Sequence, residues 1–403
     1  MLKNITKKNC RLCGDILSKP LISLGNQYVN DFPSDPKKKG RNGKCSLDIV
    51  FCKNCDLYQL KHTAPQELLY SKHYWYKSSI NETIKKDLRK IAYEAIKIAK
   101  LKKNEIFLDI GANDGTLLCN VKNKCITIGC EPAKNLRKEL KSSCHFQINN
   151  FWNKKNYFKL GLNKAKVITA IGMFYDMEDP NQFINDAKCV LANDGVFIAQ
   201  LMTLKPMLEN KDLGNICHEH LEYYTYKSLK YLFETNGLEI FKIKKNKING
   251  GSYKIFARHF RNGSINFKES ITRNDVLKFL AQINHTRKKI LTLIMKLKND
   301  GKKIYAYGAS TKGNVILQYF KLTNKEIIAV ADKNPKKFGL YTLTDIPIIS
   351  EEEARKKADV FFILPYGFTN EFILREKKWI KNGGTLISPF PNLRVINKNN
   401  YVY

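Results

Sequence analysis

Over residues 82–103 the apolar positions Leu88, Ile91, Ala92, Ala95 and Ile98 return every three or four residues, the spacing of one buried helix face. From residue 105 the rhythm changes. Short apolar runs now alternate with glycine-bearing turns and polar helical stretches: EIFLDIGANDGTLL, ITIGCEP, KVITAI at 166–171 and GVFIAQ at 195–200. That alternation predicts strands and helices in turn around a largely parallel sheet, with a helix directly after the first glycine turn and another after Asp179-Pro180. GLEIFKIKKN and GGSYKIFARH flank Asn249-Gly250-Gly251 and predict an antiparallel hairpin that closes the sheet at seven strands. A helical pattern over 274–299 leads away from it, and the alternation then begins again in KKIYAYGASTKGN, EIIAVADKNP and DVFFILPYG. The second series predicts another small α/β unit with a phosphate cradle over residues 308–314 and an acid, Asp332, ending its second strand.

The first 70 residues follow neither rhythm and carry two Cys-x-x-Cys pairs, Cys10/Cys13 in NCRLCGD and Cys52/Cys55 in FCKNCDLYQL. Two such knuckles supply four thiolates, the set that Zn²⁺ takes in a closed structural site with no position left for substrate. The Pro-, Gly- and Lys-rich segment 31–44 reads as a loop inserted between them, and Cys45 is a spare thiol able to compete as a ligand. The chain's eleven cysteines therefore point to thiols and a metal more than to disulfides.

The basic start MLKNITKKNC leads into no apolar run of signal-peptide type, and no window reaches about 18 consecutive apolar residues. The expectation is a soluble, cytoplasmic protein without a membrane segment. Its 70 Lys and Arg against 37 Asp and Glu give a formal charge of +33. The lysines are interleaved with asparagines along the whole chain and form no Arg-rich stripe, so no nucleic-acid face is expected.

A strand, a glycine turn and an acid at the end of the next strand, Glu131, suit a nucleoside cofactor: backbone N–H groups approach it closely, and the carboxylate accepts both ribose hydroxyls about twenty residues on. The turn lacks the spacing of dinucleotide binders. Asp109-Ile-Gly-Ala-Asn-Asp-Gly115 instead resembles the first motif of class I S-adenosylmethionine-dependent methyltransferases.

Taken in order, the four-cysteine module, this core, the run Cys217-His218-Glu219-His220 and the terminal unit with GASTKGN resemble the sugar C-methyltransferases, enzymes acting on nucleotide-linked keto-deoxysugars. The resemblance spans nearly the whole chain. It implies an α/β fold: a class I methyltransferase Rossmann-like core over 71–265, a zinc-binding module over 1–70, a linking helix over 266–301, and a second Rossmann-like domain over 302–403 in reach of the nucleotide sugar. It also implies a donor site of Asp109, Gly111, Asn113, Asp114, Gly115, Glu131, Pro132, Asn150 and Phe151, and a monomer or weak homo-oligomer.

In that family an aromatic-Ser-Ser segment precedes the core, a Tyr-His-Glu-His run lies beside the methyl donor, and a histidine follows the fourth core strand. Tyr76-Lys-Ser78-Ser79, within the aromatic stretch YSKHYWYKSSIN, matches the first, and His218-Glu219-His220 matches most of the second. Two positions depart: Cys217 replaces the tyrosine, and Tyr175 and Asp176 in IGMFYDMEDP stand where the histidine is expected. Carbon attacks a methyl sulfonium only with carbanion character, so such an enzyme removes a proton beside a ketone and holds the enolate. A neutral imidazole suits the first task. His220 is the expected base, His218 and Glu219 its orienting or substrate-hydroxyl partners, and Tyr76, Asp176 and Cys217 complete the expected set. Methyl transfer to a sugar oxygen, or to RNA by a zinc-containing enzyme, remain the rival readings.

Overall fold

The computed structural model describes residues 4–40, 43–71 and 74–400; positions 72 and 73 of the aromatic stretch lie outside them. The central sheet has seven strands, in spatial order Leu238–Asn246, Ser252–His259, Leu191–Leu201, Ala165–Ile171, Ile106–Ile110, Ile126–Cys130 and Phe146–Ile148. All neighbours run parallel except those involving Ser252–His259, which pairs antiparallel on both sides. The hairpin turn carries three consecutive residues of positive φ, Asn249, Gly250 and Gly251.

The helix Glu82–Ala99 packs on this sheet through Leu88, Ile91, Ala92 and Ala95, as its period predicts. Asn81 caps it by accepting from the N–H groups of Thr83 and Ile84. It ends at Ala99, short of the expected 103, because Lys100 turns left-handed (φ 49°), which leaves Ile98 only half-buried. The helix expected directly after the glycine turn is reduced to one 3₁₀ turn, Leu118–Asn120. There the Asn120 amide donates to the carbonyls of Thr116 and Leu117, a local bonding that competes with helix propagation.

Residues Arg273–Asn299 form one 27-residue helix, opened by a capping box between Thr272 and Asp275. It leads to a six-stranded sheet in the order Ile348–Ser350, Val330–Asp332, Ile304–Tyr307, Val360–Ile363, Thr385–Ser388, Arg394–Ile396, parallel except for its last strand.

Near the N-terminus, Ile22–Tyr28, Lys44–Phe51 and Tyr58–Leu60 form an antiparallel sheet whose fourth strand comes from far along the chain: Glu222–Tyr223 pairs with Tyr58 and Gln59. The segment Cys217–His220 is thus hung from the N-terminal module two residues beyond His220. Among the described residues no helix is long and apolar enough to cross a membrane.

Candidate functional site

The four sulfurs of Cys10, Cys13, Cys52 and Cys55 lie within 4.8 Å of one another, with Cys10 and Cys55 3.6 Å apart and Cys13 and Cys52 3.4 Å apart. Tetrahedral Zn–S bonds of 2.3 Å put sulfurs about 3.8 Å apart, so the set fits the ion. The spare Cys45 is buried in the strand Lys44–Phe51 and is not part of the cluster. Arg11, inside the first knuckle, ties the zinc module to the core. Its guanidinium donates to Gln59 Oε1 (3.1 Å), Leu60 O (2.6 Å) and Thr63 Oγ1 (2.6 Å), and it pairs with Glu178 at 3.4 Å and Glu222 at 3.8 Å.

At the carboxyl end of the core sheet, Gly111 (φ 73°) and Gly115 (φ 79°) carry the turn through the left-handed region. A Cβ on Gly115 would stand 2.3 Å from the Ser143 Cβ, so the turn admits no side chain there. Between them Asn113 is also left-handed (φ 52°), a conformation asparagine tolerates well. The segment Tyr76–Ser79 laps over this turn: the N–H groups of Ser78 and Ser79 donate to Asn113 Oδ1 and Asp114 Oδ2, both at 3.0 Å, and Asn113 Nδ2 donates to Tyr76 O.

Glu131 is buried at the end of the next strand and accepts from the N–H groups of Asn113 and Ala133, both at 2.9 Å, one on each carboxylate oxygen. Each oxygen keeps a further lone pair, the acceptor capacity that two ribose hydroxyls need. Burial raises its pKa against those two bonds. Asp109 is deeper; burial pushes it up to about 7, opposed by the Thr169 hydroxyl, which donates to it at 2.6 Å. Pro132 follows Glu131, while Asn150 and Phe151 lie just beyond the strand Phe146–Ile148 at the same sheet end.

Beside the segment Tyr76–Ser78 that laps over the turn opens a cleft of about 400 Å³ to which all three parts of the chain contribute; none of the nine expected donor residues is among those lining it. The N-terminal module supplies Phe32, on which Trp75 packs edge-on at 5.4 Å. The core supplies Tyr76, Asp176, Cys217, Glu219 and His220, and the C-terminal unit supplies the loop Gly308–Lys312 and Tyr366. Five of the six expected catalytic residues therefore share one cavity.

Tyr76, the most open of them at 45% exposure, lines the cleft mouth. Asp176 and Glu219 are 5% and 7% exposed, and each keeps one carboxylate oxygen, Oδ1 and Oε2 respectively, without a hydrogen-bond partner. Burial first, then the negative charge of neighbouring Glu222 and Glu219, pushes Asp176 well above the carboxylate range. Glu219 Oε1 accepts from Asn30 Nδ2 at 3.1 Å, and burial raises this acid too.

His220 Nδ1 stands 2.9 Å from the carbonyl of Asn215 and donates to it. That bond selects the tautomer whose Nε2 carries the free lone pair. Burial, together with the Lys312 charge, lowers the pKa of His220 to about 3, so the ring is neutral across the physiological range. Tyr175 holds it edge-on at 4.6 Å.

His218 is the sixth expected residue, and it points elsewhere. Its Nε2 donates to the Cys45 carbonyl at 3.0 Å, and the ring is outside the cleft, so any part it has is to fasten the loop to the zinc module. The expected substrate contact of His218 is therefore not seen in this geometry: residues 217–220 form a turn closed by the His220 N–H donating to Cys217 O at 3.1 Å, and the turn sends the two rings different ways. Cys217 does line the cleft, but burial raises its thiol well above the usual range. Tyr223 and Tyr224 are buried packing residues.

Sequence reasoning missed Asp212, Lys312 and Tyr366. Lys312 lies inside GASTKGN, and Asp212 lies a few residues before the His-Glu-His run; only the fold reveals that they meet, with Lys312 Nζ 3.0 Å from Asp212 Oδ2 and the Tyr366 hydroxyl donating to Asp212 Oδ1.

The fold, the donor turn and the closed sulfur site define a class I S-adenosylmethionine-dependent methyltransferase with a structural zinc. Three family models match the chain in succession: a putative zinc binding domain over 10–70, a methyltransferase domain over 76–243 and a C-methyltransferase C-terminal domain over 247–391. The C-methyltransferase NovU of Streptomyces niveus is 26% identical over 406 aligned residues, covering 96% of each chain. With that succession of domains, the chain is an S-adenosylmethionine-dependent methyltransferase whose C-terminal part matches the C-terminal domain of C-methyltransferases. Solved methyltransferase structures resemble it over less than half its length: mitomycin 7-O-methyltransferase MmcR (12% identity, TM-score 0.36, 45% of this chain and 56% of that one) and CcbJ of Streptomyces caelestis (13%, 0.33, 43% and 89%).

Two outcomes follow from this geometry. Glu131→Ala should weaken S-adenosylhomocysteine binding about tenfold or more, since each charge-assisted bond contributes roughly 1.5–3 kcal/mol; calorimetric titration with unchanged affinity would place the ribose elsewhere. His218, with a pKa lowered to about 4 by burial, stays neutral in the folded chain while the unfolded chain protonates it near 6.5. Its contribution to stability is therefore lost as pH falls from about 6.5 towards 4. In His218→Gln, whose amide can still donate to Cys45 O, urea unfolding across that window should show a pH slope shallower by up to one proton, roughly 1.4 kcal/mol per pH unit. An unchanged slope would mean that the ring already protonates in the folded state.

Proposed function

We propose that this methyltransferase acts on a nucleotide-linked keto-deoxysugar and methylates the carbon beside its ketone through an enolate. The observation that carries this reading is His220: a neutral imidazole, with its tautomer set by Asn215, in a cleft shared by the donor-binding core and a second Rossmann-like unit. When bound, S-adenosylmethionine supplies an electrophilic methyl group.

His220 Nε2 takes the proton from the substrate carbon. Glu219 and Asp176 offer their unpartnered oxygens to sugar hydroxyls, and Tyr76 lines the mouth of the cleft over the reacting ring. Asp109, Gly111, Asn113, Asp114, Gly115, Glu131, Pro132, Asn150 and Phe151 hold the donor, with Glu131 on the ribose.

The helix Thr311–Phe320, N-capped by Ser310, directs its first turn into the cleft and suits the diphosphate of a nucleotide sugar. On this reading the functional units are residues 1–70 (zinc module), 71–265 (methyl transfer), 266–301 (linking helix) and 302–403 (nucleotide contact).

Incubating the protein and S-adenosylmethionine with a panel of nucleoside-diphosphate keto-deoxyhexoses, and locating the new methyl by heteronuclear NMR, tests the proposal. A methyl on the carbon next to the ketone supports it. A methyl on a hydroxyl oxygen, or transfer only to substrates without a ketone, contradicts it.

A further inference from the structure

We propose that Lys312, delivered from the C-terminal unit, is the cation that faces the enolate oxygen at the His220 site. The inference rests on the enolate reading above and adds to it a residue that acts on the reacting atoms.

The loop GASTKGN divides its groups between two directions. Its helix start turns into the cleft, whereas the Lys312 side chain reaches back to the core, where Nζ lies 3.0 Å from Asp212 Oδ2 and 3.1 Å from the Met202 sulfur. Met202 follows the core strand Leu191–Leu201 and lines the cleft. The ammonium is close enough to both His220 and Cys217 that its charge bears on each of them.

One short turn positions base and cation together. Residues Leu213–Asn215 present the Asn215 carbonyl to His220 Nδ1, and Gly214 packs directly against Lys312. A Cβ at position 214 would stand 2.8 Å from the Lys312 Cβ and 3.2 Å from its carbonyl oxygen, so only glycine allows the approach. Tyr366 secures the same turn from the C-terminal side: its hydroxyl accepts from Gly214 N at 3.1 Å and donates to Asp212 Oδ1.

The charges balance in the step this arrangement serves. His220 Nε2 takes the proton from the carbon beside the ketone; the C–H electron pair becomes the C=C bond, and the carbonyl π pair moves onto oxygen. An imidazolium and an enolate oxyanion result where two neutral groups stood. A fixed ammonium next to a base disfavours the imidazolium by itself, but with the oxyanion between or beside them it stabilises the new negative charge. This is the contribution that a phenol at position 217 would make by hydrogen bonding and that the weak S–H donor of Cys217 does not.

The test compares wild type, Lys312→Gln and Lys312→Arg in D₂O with S-adenosylhomocysteine and a nucleoside-diphosphate 4-keto-6-deoxyhexose that wild type methylates, following exchange of the proton beside the ketone. Lys312→Gln keeps an amide donor for Asp212 and so guards against misfolding, which the melting temperature and S-adenosylhomocysteine affinity also report. The expected result is a loss of exchange and kcat of about 10²–10³-fold in Lys312→Gln, the scale for removing one oxyanion contact. Affinity for the free nucleoside diphosphate should stay within about threefold, and Lys312→Arg should recover part of the rate. Exchange at the wild-type rate, or a loss confined to KM and nucleoside diphosphate affinity, overturns the proposal and assigns Lys312 to the phosphates. If wild type transfers its methyl to oxygen without exchanging any proton, the enolate reading has failed, and Lys312 has no oxyanion to face.

Discussion

Replacing His220 by asparagine is expected to lower kcat by about 10²–10⁴-fold, the usual cost of removing a general base, while substrate and donor affinities change little. Asparagine can still donate its side-chain amide to the Asn215 carbonyl, so the loop keeps the bond that His220 Nδ1 makes at 2.9 Å. What it loses is a lone pair able to take a proton. The selectivity of the effect matters more than its size. A residue that only packs the loop would, when replaced, depress stability and affinity together with rate. A fall in kcat with unchanged KM and melting temperature identifies an interaction made in the transition state; unchanged turnover would make His220 structural.

Removing the zinc should have an effect of similar size by a different route. The double variant Cys52→Ser, Cys55→Ser leaves two thiolates of four, too few for a closed site, and structural zinc contributes on the order of 10 kcal/mol to the folding of small metal-dependent modules. The strand Tyr58–Leu60, just after the second knuckle, pairs with Glu222–Tyr223, and His218 donates to Cys45 O in the neighbouring strand. Loosening the module therefore releases the loop that carries Cys217, Glu219 and His220. The variant should contain no zinc, melt at lower temperature and lose methyl transfer, yet still bind S-adenosylhomocysteine, because the donor turn Gly111–Gly115 belongs to the core sheet. Full zinc content and full stability in the double variant would refute the four-sulfur assignment.

Local chemistry made some parts of this site legible in the sequence. Paired thiolates, the glycine turn ending in Glu131 and the period of Leu88, Ile91, Ala92 and Ala95 each express a constraint carried within a few residues of chain. The residues that escaped are those whose meaning depends on distant partners. His218 reads like His220 in the sequence, but the two rings have partners far apart in the chain: His218 bonds the carbonyl of Cys45 in the N-terminal module, while His220 bonds that of Asn215. Asp212, Lys312 and Tyr366 come from three separate segments, and they form one network only when the two Rossmann-like units close on each other. The missing helix after Gly115 escaped for a local reason instead: the apolar pattern permitted a helix, but the Asn120 amide bonds the carbonyls of Thr116 and Leu117.

The most direct test of carbon methylation through an enolate is proton exchange with methyl transfer blocked. Wild-type protein is incubated in D₂O with S-adenosylhomocysteine and each member of the keto-sugar nucleotide panel, and the signal of the hydrogen beside the ketone is followed by NMR. For the sugar that is methylated in the presence of S-adenosylmethionine, that signal should disappear at a rate well above the enzyme-free control, and His220→Asn should abolish the excess. A methylated sugar whose hydrogen is retained in wild type, or exchange that survives in His220→Asn at the wild-type rate, would contradict the account.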